Sequence, residues 1–330
     1  MSKCIFCQRE LVAGATDGSQ PTKEHVIQFA LGGSNGLVTN DVCKDCNSTL
    51  GETVDAEFIN QEFMGFLRLT HNLPGYSGTV PDVVLSARSL DTNEPGKVSF
   101  RSDATVDVSH EPVIIRQNKS ADYEEILIAA MPDRARQMAQ GIIDKAKKQN
   151  KTVYTSKGKV ANMAEDLLAD AEVESSDHYK ASMMVEMIPL LRGYAKIAFG
   201  YLHVTIGAGW TFSTDADALR AISRGEGTAA DVKALVVQGA PEVRALFVGK
   251  EAKDSRTHVL GIILRQGQTL AMVSLFGGNF TFCFKVSIPE ELILNAMFAD
   301  RAAVEVDPVT RSASWVSYQT LLLRMSSFGR

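Results

Sequence analysis

Two Cys-x-x-Cys pairs are the first residues whose types and spacing point to chemistry. Cys4 and Cys7 form one pair, and Cys43 and Cys46 form the other, in a chain of 330 residues. Four thiolates at this spacing match the ligands of one tetrahedral zinc ion. The alternatives are a redox dithiol, which needs no second pair, and buried free thiols, which this polar segment has little apolar material to cover. The pattern therefore predicts a structural zinc in a closed site.

Polar side chains fill the stretch PTKEHVIQFALGGSNGLVTNDVCKDCN, which runs from Pro21 into the second pair. Zinc binding would bring Glu24 and His25 close to Asn40 and Asn47. A neutral imidazole can take a proton from water near pH 7, and carboxylate and amide oxygens suit a hard cation such as Mg²⁺. Taken singly, a solvated Glu-His pair and a helix-capping asparagine are ordinary. Together on a zinc scaffold they indicate a hydrolytic site.

The segments CIFC, EHVIQFALGG, TNDVCKDCN and STLG resemble the HNH endonucleases. These enzymes have a ββα-metal active site, and the resemblance is to the subgroup in which two zinc-binding Cys-x-x-Cys pairs bracket the motif. It covers about residues 1–55. The fold it implies is a zinc-stapled ββα-metal module, similar to a treble clef.

The resemblance also implies a role for each polar residue. His25 would be the general base, and Glu24 and the carbonyl oxygen of Asn47 would bind one catalytic Mg²⁺ or Mn²⁺ ion. Asn40 would take the central position and orient the base, with Asn35 as the alternative. Glutamate stands where aspartate is more usual, and the loop that holds Asn40 is shorter than in many relatives.

The remaining pattern predicts an α+β fold. Helices are expected after Gly51 and in DRARQMAQGIIDKAKKQNK, VANMAEDLLADAE, IPLLRGYAKIAFGYLHVTIG and most of the C-terminus. Strands are expected around VPDVVLSARSL, KVSF, PVIIR, HVLGIILRQGQTLAMVSLFGG and FTFCFKVSI, where Cys283 reads as a buried small hydrophobe. We expect a nuclease module at residues 1–72 and a larger α+β domain of unknown role, in sensing, DNA recognition or assembly, at residues 76–330.

Composition limits the classes of partner. The formal net charge of −5 argues against binding nucleic acid or membrane by bulk charge. No apolar run approaches the roughly 18 residues that cross a bilayer, and MSKCIFCQRE lacks the apolar core of a signal peptide. With four paired cysteines suited to a reducing compartment, these features predict a cytoplasmic protein with no membrane partner. The sequence has no phosphate-binding P-loop motif.

One stretch, DRARQMAQGIIDKAKKQNKTVYTSKGK, is strongly basic. Residues 1–70 contain more acids than bases, so a grip on DNA phosphates would need positive charge from elsewhere. A solvated helical face is the alternative explanation. The residues predicted to contact nucleic acid are Arg134, Arg136, Lys145, Lys147, Lys148 and Lys151.

These features predict a metal-dependent DNA endonuclease or nickase, in a bacterial or phage setting and with a role in defence by analogy. One alternative is a non-catalytic zinc-dependent binding module. Another is a nuclease effector that a small nucleotide signal switches on through the C-terminal domain. The sequence leaves open a homo-oligomer and a small-molecule or protein activator.

Overall fold

The computed structural model describes residues 2–320 except 91–92, 111, 121–122, 170, 172–177, 239–255, 266, 279 and 318. The chain divides into two compact units. The first, called the split unit below, comprises residues 1–81 and 184–330, and the second, called the inserted unit, comprises residues 82–183. The split unit contains the four paired cysteines and the polar stretch from Pro21 to Asn47.

The split unit begins with a ββα arrangement. Strands β1 (Pro21–His25) and β2 (Val38–Cys43) pair antiparallel, and helix α1 (Lys44–Leu50) follows directly. Cys43 Sγ accepts from the backbone N–H of Cys46 at 3.4 Å, so a predicted zinc ligand also caps α1. A π-helical segment (Gly51–Asp55), α2 (Ala56–Ile59) and α3 (Glu62–Thr70) continue the chain.

The connection between β1 and β2 depends on two glycines. A 3₁₀ helix (Phe29–Leu31) ends at Gly32, whose φ of +85° is a left-handed conformation that favours glycine. A Cβ on Gly33 would overlap the carbonyl oxygen of Ile27. The LGG sequence is therefore required by the backbone path that follows His25.

The second half of the split unit surrounds one apolar helix. The helices are α6 (Met187–Ile206), α7 (Ala208–Thr211), a 3₁₀ turn (Thr214–Ala216), α8 (Asp217–Ser223), α9 (Ala229–Leu235) and α10 (Glu290–Phe298). The strands are β9 (Val236–Gln238), β10 (His258–Arg265), β11 (Gln268–Leu275), β12 (Phe280–Val286), β13 (Ala303–Asp307) and β14 (Ser312–Trp315), with a 3₁₀ turn (Phe276–Gly278) after β11. In the described part of the chain they form one antiparallel sheet in the order β14-β13-β10-β11-β12-β9.

The ββα segment and the large sheet share a single core. Ile5, Phe6 and Phe58 are buried in the same cluster as Phe199 of α6 and Phe284 of β12. Helix α6, which the apolar run IPLLRGYAKIAFGYLHVTIG predicted, is buried along most of its length. The N-terminal residues thus gain from the C-terminal half the apolar cover that they lack themselves.

The inserted unit contains short antiparallel sheets and two helices. Its strands are β3 (Val83–Ser89), β4 (Pro95–Phe100), β5 (Val106–His110), β6 (Val113–Ser120), β7 (Tyr123–Ala129) and β8 (Tyr179–Ser182). Within the described residues β5-β4-β3-β8 form one sheet and β6-β7 a hairpin. The helices are α4 (Pro132–Lys148) and α5 (Ala164–Leu168).

The predicted α+β class, with an N-terminal zinc-type module and a larger following part, is confirmed. Most predicted strands are present, and Cys283 is buried in β12 as expected. The expectation of a mostly helical C-terminus was wrong for the described residues, because β13 and β14 follow α10. Residues 321–330, which this expectation also covered, lie outside the described part of the chain. The alternating apolar residues of β13 pair with β10 and bury one face against the core.

The division into modules at residues 72 and 76 stays a prediction. The compact units have other limits, because α6 and the large sheet pack on the ββα segment while residues 82–183 form their own contacts. Within the described residues, no helix combines the length and apolar character that crossing a bilayer requires.

Candidate active site and zinc centre

The four paired cysteines converge on one point. Their sulfur atoms all lie within 4.8 Å of one another, and Cys7 Sγ lies 3.7 Å from Cys43 Sγ. Tetrahedral coordination at the usual zinc–sulfur distance requires sulfur pairs at about 3.8 Å. A hydrogen bond from Cys46 lowers the pKa of the Cys4 thiol to about 4, which favours the thiolate that a metal binds. The donor set fits a closed zinc site.

His25 lies at the end of β1 with a partner on each ring nitrogen. Its Nε2 is 3.1 Å from Oδ1 of Asn35, and its Nδ1 is 3.5 Å from the hydroxyl of Tyr76. Since a carbonyl oxygen only accepts, Nε2 carries the proton and Nδ1 retains the lone pair. Burial, with Lys23 and Arg311 nearby, lowers the pKa of His25 although the contact with Asn35 opposes this. The imidazole is therefore neutral near pH 7 and suited to accept a proton.

The two candidate central asparagines differ in position. Asn35, the alternative, contacts His25 and also accepts from Lys23 Nζ at 2.5 Å. Asn40 is exposed on β2, where the pairing with β1 slips by one residue between Thr22 and Glu24. Among the residues that the structure describes, no hydrogen bond joins Asn40 to His25.

Asn47 lies on α1 and reaches back to β1, as expected. Its amide nitrogen donates to Oγ1 of Thr22 at 3.0 Å and to the carbonyl of Lys23 at 3.3 Å. These bonds orient the side chain and leave its carbonyl oxygen as an available ligand. Lys23, which accepts one of them, immediately precedes Glu24 in the chain.

Glu24 is largely buried and is paired with a lysine from α6. Lys196 Nζ donates to Oε1 of Glu24 at 2.7 Å and to Oδ2 of Asp55 at 2.5 Å, and the lysine side chain is 4% exposed. Burial lowers the pKa of Lys196, but the two carboxylates outweigh it and the net shift is upward, so the ammonium is charged. Burial raises the pKa of Glu24, and Asp55 adds to the rise. When both acids are ionised, the cluster has one uncompensated negative charge.

Asp55 follows Gly51, where the sequence predicts a helix, but its side chain is only 14% exposed and does not lie on a solvated face. Asp55 lies in the π-helical segment, accepts from Gln28 at 2.7 Å and faces Lys196. The sequence reasoning also did not select Lys196, because a single lysine in an apolar helix reads as a residue at the helix surface. Its position in the middle of the apolar run of α6 was the available signal.

A small cavity connects His25 with the acidic cluster. Glu24, His25 and Lys196 all line a space of about 10 Å³, which has the size of roughly one water molecule. In the described part of the chain, the cysteines are the one group of three or more His, Cys, Asp or Glu residues close enough to share an ion. A second ion at Glu24 and Asn47 would complete its shell with water or phosphate oxygens.

The predicted DNA-contacting residues lie in the inserted unit, on and directly after α4. Ala135, Ala139 and Ile143 form the buried face of this helix. The basic side chains are exposed, and some have local partners: Arg136 lies 3.5 Å from Glu165, and Lys147 donates to the carbonyl of Asn162 at 3.0 Å. The exposed residues are Arg134, Arg136, Lys145, Lys147, Lys148 and Lys151.

The sequence was compared with protein families, curated proteins and solved structures. Residues 4–63 match the model of the HNH endonuclease family. No curated protein and no solved structure matches the chain. The matched residues begin at Cys4 and include all four cysteines, His25, β1, β2 and α1. The N-terminal segment of this chain is therefore similar to the HNH endonuclease family, and its clustered cysteines are consistent with the form that has two zinc-binding pairs.

Proposed function

We propose that the protein is a metal-dependent endonuclease that hydrolyses phosphodiester bonds in DNA, as a nickase or a double-strand nuclease. The observation that carries this proposal is the neutral His25. One ring nitrogen is held by Asn35 and the other retains its lone pair, within a segment that matches a nuclease family. A binding module has no need of such a base.

His25 acts in this proposal as the general base. Nδ1 takes a proton from a water molecule as that water attacks the phosphorus, and Asn35 stabilises the resulting imidazolium by accepting from Nε2–H. The proton on Nε2 does not move. The bond from phosphorus to the leaving oxygen breaks as the new bond forms.

Glu24 and Asn47 would hold the catalytic Mg²⁺ or Mn²⁺ ion. One carboxylate oxygen of Glu24 accepts from Lys196, and among the described residues the other oxygen has no hydrogen-bond donor. The buried negative charge of this cluster favours a cation, and the amide carbonyl of Asn47 adds a hard oxygen ligand. When bound, such an ion neutralises charge on the phosphate and the leaving oxygen.

The basic face of α4 is proposed to add affinity for DNA phosphates. Its side chains are exposed and belong to a unit distinct from the one that contains His25. Replacing Lys145, Lys147 and Lys148 by glutamine should weaken binding and reduce its dependence on salt, because fewer counterions are released. A cytoplasmic location, a role in defence and an activating ligand stay hypotheses.

The test is cleavage of supercoiled plasmid in Mg²⁺ or Mn²⁺, with a chelator control. His25→Ala should reduce the rate by about a hundredfold or more, which is the usual contribution of a general base. Zinc content and folding should be unchanged, since the zinc ligands lie elsewhere. His178→Ala, in the inserted unit, is the matched control.

Mildly alkaline buffer should partly rescue His25→Ala, because hydroxide replaces the missing base. If the wild-type protein leaves plasmid intact in both ions, the nuclease proposal fails and the non-catalytic binding module takes its place. Equal rates for His25→Ala and wild type would remove His25 as the base.

A further inference from the structure

An aromatic stack lies beside His25. The Arg311 guanidinium carbon is 3.5 Å from the centroid of the Phe29 ring. The ring of Tyr76 is nearly parallel to that of Phe29, with centroids 4.3 Å apart and an interplanar angle of 10°. Since a guanidinium and a phenol ring cannot occupy one face of Phe29 at these distances, they cover opposite faces. Tyr76 is therefore the outer layer of the stack.

The stack is held by its own hydrogen bonds. Arg311 donates from one nitrogen to the carbonyl of Phe29 and from another to the carbonyl of Pro74, both at 2.9 Å. One guanidinium thus fixes the backbone of both segments that supply the rings. Tyr76 is two residues after Pro74, so the bond from Arg311 to Pro74 also restrains the position of the Tyr76 ring. A ring that is already in place loses less conformational entropy when a ligand binds.

Tyr76 is exposed in a way that packing does not explain. Its side chain is 81% exposed although its inner face stacks on Phe29. A ring that only packed in the core would be covered by other residues. A ring that only made the surface polar would gain nothing from stacking on Phe29, whose other face is covered by Arg311. The outer face offers a flat π-surface to a flat ligand.

The position of this ring surface beside His25 indicates which class of ligand it binds. The hydroxyl of Tyr76 lies 3.5 Å from Nδ1 of His25, the nitrogen that takes the proton. A phosphodiester at His25 therefore brings its neighbouring nucleotides to Tyr76. Bases stack on exposed aromatic rings with little regard to sequence, and each such contact contributes about 1–3 kcal/mol.

We propose that Tyr76 is a nucleobase-binding residue on which the base next to the scissile phosphate stacks. This inference rests on the proposed nuclease function and specifies its substrate. A base inside a duplex already has both faces covered by its neighbours, so stacking on Tyr76 requires an unstacked base. The preferred substrate is DNA with a single-stranded, mismatched or frayed nucleotide at the cut.

Cleavage of single-stranded oligonucleotides tests the proposal. Tyr76→Ala should reduce the rate by roughly fivefold to a hundredfold, as expected from losing one stacked base. Tyr76→Phe and Tyr76→Trp should restore most of it. Phe298→Ala, at an aromatic residue that is 79% exposed at the end of α10, is the matched control and should cut normally.

Removing the base from the DNA should mimic removing the ring from the protein. An abasic nucleotide next to the mapped cut should slow the wild-type protein by a similar factor and should not slow Tyr76→Ala further. Equal rates for Tyr76→Ala and wild type would overturn the proposal. So would a Tyr76→Phe protein as slow as Tyr76→Ala, because the hydroxyl contact with His25 would then be the important one.

A binding measurement separates this inference from the nuclease proposal. His25→Ala protein is mixed with single-stranded oligonucleotides that carry one 2-aminopurine, whose fluorescence falls when it stacks. We expect quenching at some position and its loss in the His25→Ala, Tyr76→Ala double variant. Quenching that is unchanged in the double variant, or absent at every position, overturns base stacking at Tyr76 whether or not the wild-type protein cuts DNA.

Discussion

At the scale of single residues, the geometry of the site depends on which asparagine forms a hydrogen bond with His25. Asn35 follows the LGG turn and contacts Nε2, whereas Asn40 is exposed on β2. Both are asparagines between the cysteine pairs, and the motif by itself favoured Asn40. The contact with Asn35 places the proton on Nε2, which leaves Nδ1 as the nitrogen that can accept a proton.

Replacing each asparagine by alanine distinguishes the two. Asn35→Ala should lower kcat for plasmid cleavage by about tenfold or more, because His25 loses the partner that sets its tautomer. Asn40→Ala should change kcat by less than about twofold, since its side chain is exposed and surface changes are usually small. The reverse order of effects would assign the central position to Asn40.

At the scale of elements, the ββα segment is fixed at one end by the cysteines. Cys43 ends β2, caps α1 and contributes to the zinc-type cluster, so one residue joins all three features. Asn47 is one residue beyond Cys46 on α1, and its bonds to Thr22 and Lys23 depend on the position of that helix.

Cys43→Ser should therefore abolish bound zinc and destabilise the N-terminal segment together. The wild-type protein should contain one zinc per chain by elemental analysis, since structural zinc contributes directly to folding. Cys283→Ser is the control, because this buried thiol lies on β12 away from the cluster. A Cys43→Ser protein with an unchanged zinc content would contradict the assignment.

The second fixed end of the segment is helix α6. Lys196 connects this helix to β1 through Glu24 and to the π-helical segment through Asp55. Gly193, one turn earlier, allows Phe58 of α2 to approach where a Cβ would clash. Helix α6 thus holds the ββα segment by a buried ion pair and by close packing.

Lys196→Met should destabilise the split unit by about 3 kcal/mol or more, because two buried carboxylates lose their cation. In the double variant Lys196→Met, Asp55→Asn the loss should be smaller, since one uncompensated charge is removed as well. Chemical denaturation of the single and double variants measures this difference. Losses that simply add would show that Asp55 and Lys196 do not depend on each other.

At the scale of the whole molecule, the split unit is one core formed by both ends of the chain. His258 of β10 illustrates this, since Nε2 donates to the carbonyl of Leu31 at 2.7 Å and Nδ1 accepts from the N–H of Phe276 at 3.0 Å. The ring is fully buried and links the turn after β1 to the large sheet. Burial lowers its pKa to about 4.

The stability of the split unit should therefore depend on pH. The unfolded chain protonates His258 near pH 6.5, so the contribution of the neutral ring is complete above that value and is lost as the pH falls towards 4. Between pH 7.5 and pH 5 this loss is about 2 kcal/mol. In His258→Gln, which does not titrate, the fall in stability over this interval should be smaller by that amount.

Tryptophan fluorescence during urea unfolding measures this effect. Both tryptophans of the chain, Trp210 and Trp315, belong to the split unit, so the signal reports that unit alone. Effects of pH on other groups are common to both proteins and cancel in the comparison. Identical pH dependence in the two proteins would show that His258 titrates normally in the folded state.

Short-range sequence patterns predicted several parts of this structure. Two Cys-x-x-Cys pairs predicted the sulfur cluster, the resemblance of EHVIQFALGG and TNDVCKDCN to the HNH motif implied the ββα arrangement around His25, and an apolar run predicted α6. Each of these depends on residues close together in the chain, where backbone geometry and hydrophobic period limit the outcome. The prediction of a mostly helical C-terminus was wrong for the described residues, because β13 forms by pairing with β10, which is distant in the sequence.

Only the tertiary structure decided what surrounds His25 and Glu24. Lys196 reaches Glu24 across 172 residues of chain, and Arg311 reaches Phe29 across 282. Neither contact leaves a local pattern, because a lysine in an apolar helix and an arginine in a turn have many other possible partners. Asn35 was separated from Asn40 in the same way, by the path of the LGG turn and the slip in β2. The sequence specified the reactive groups, and long-range packing specified their charge environment and orientation.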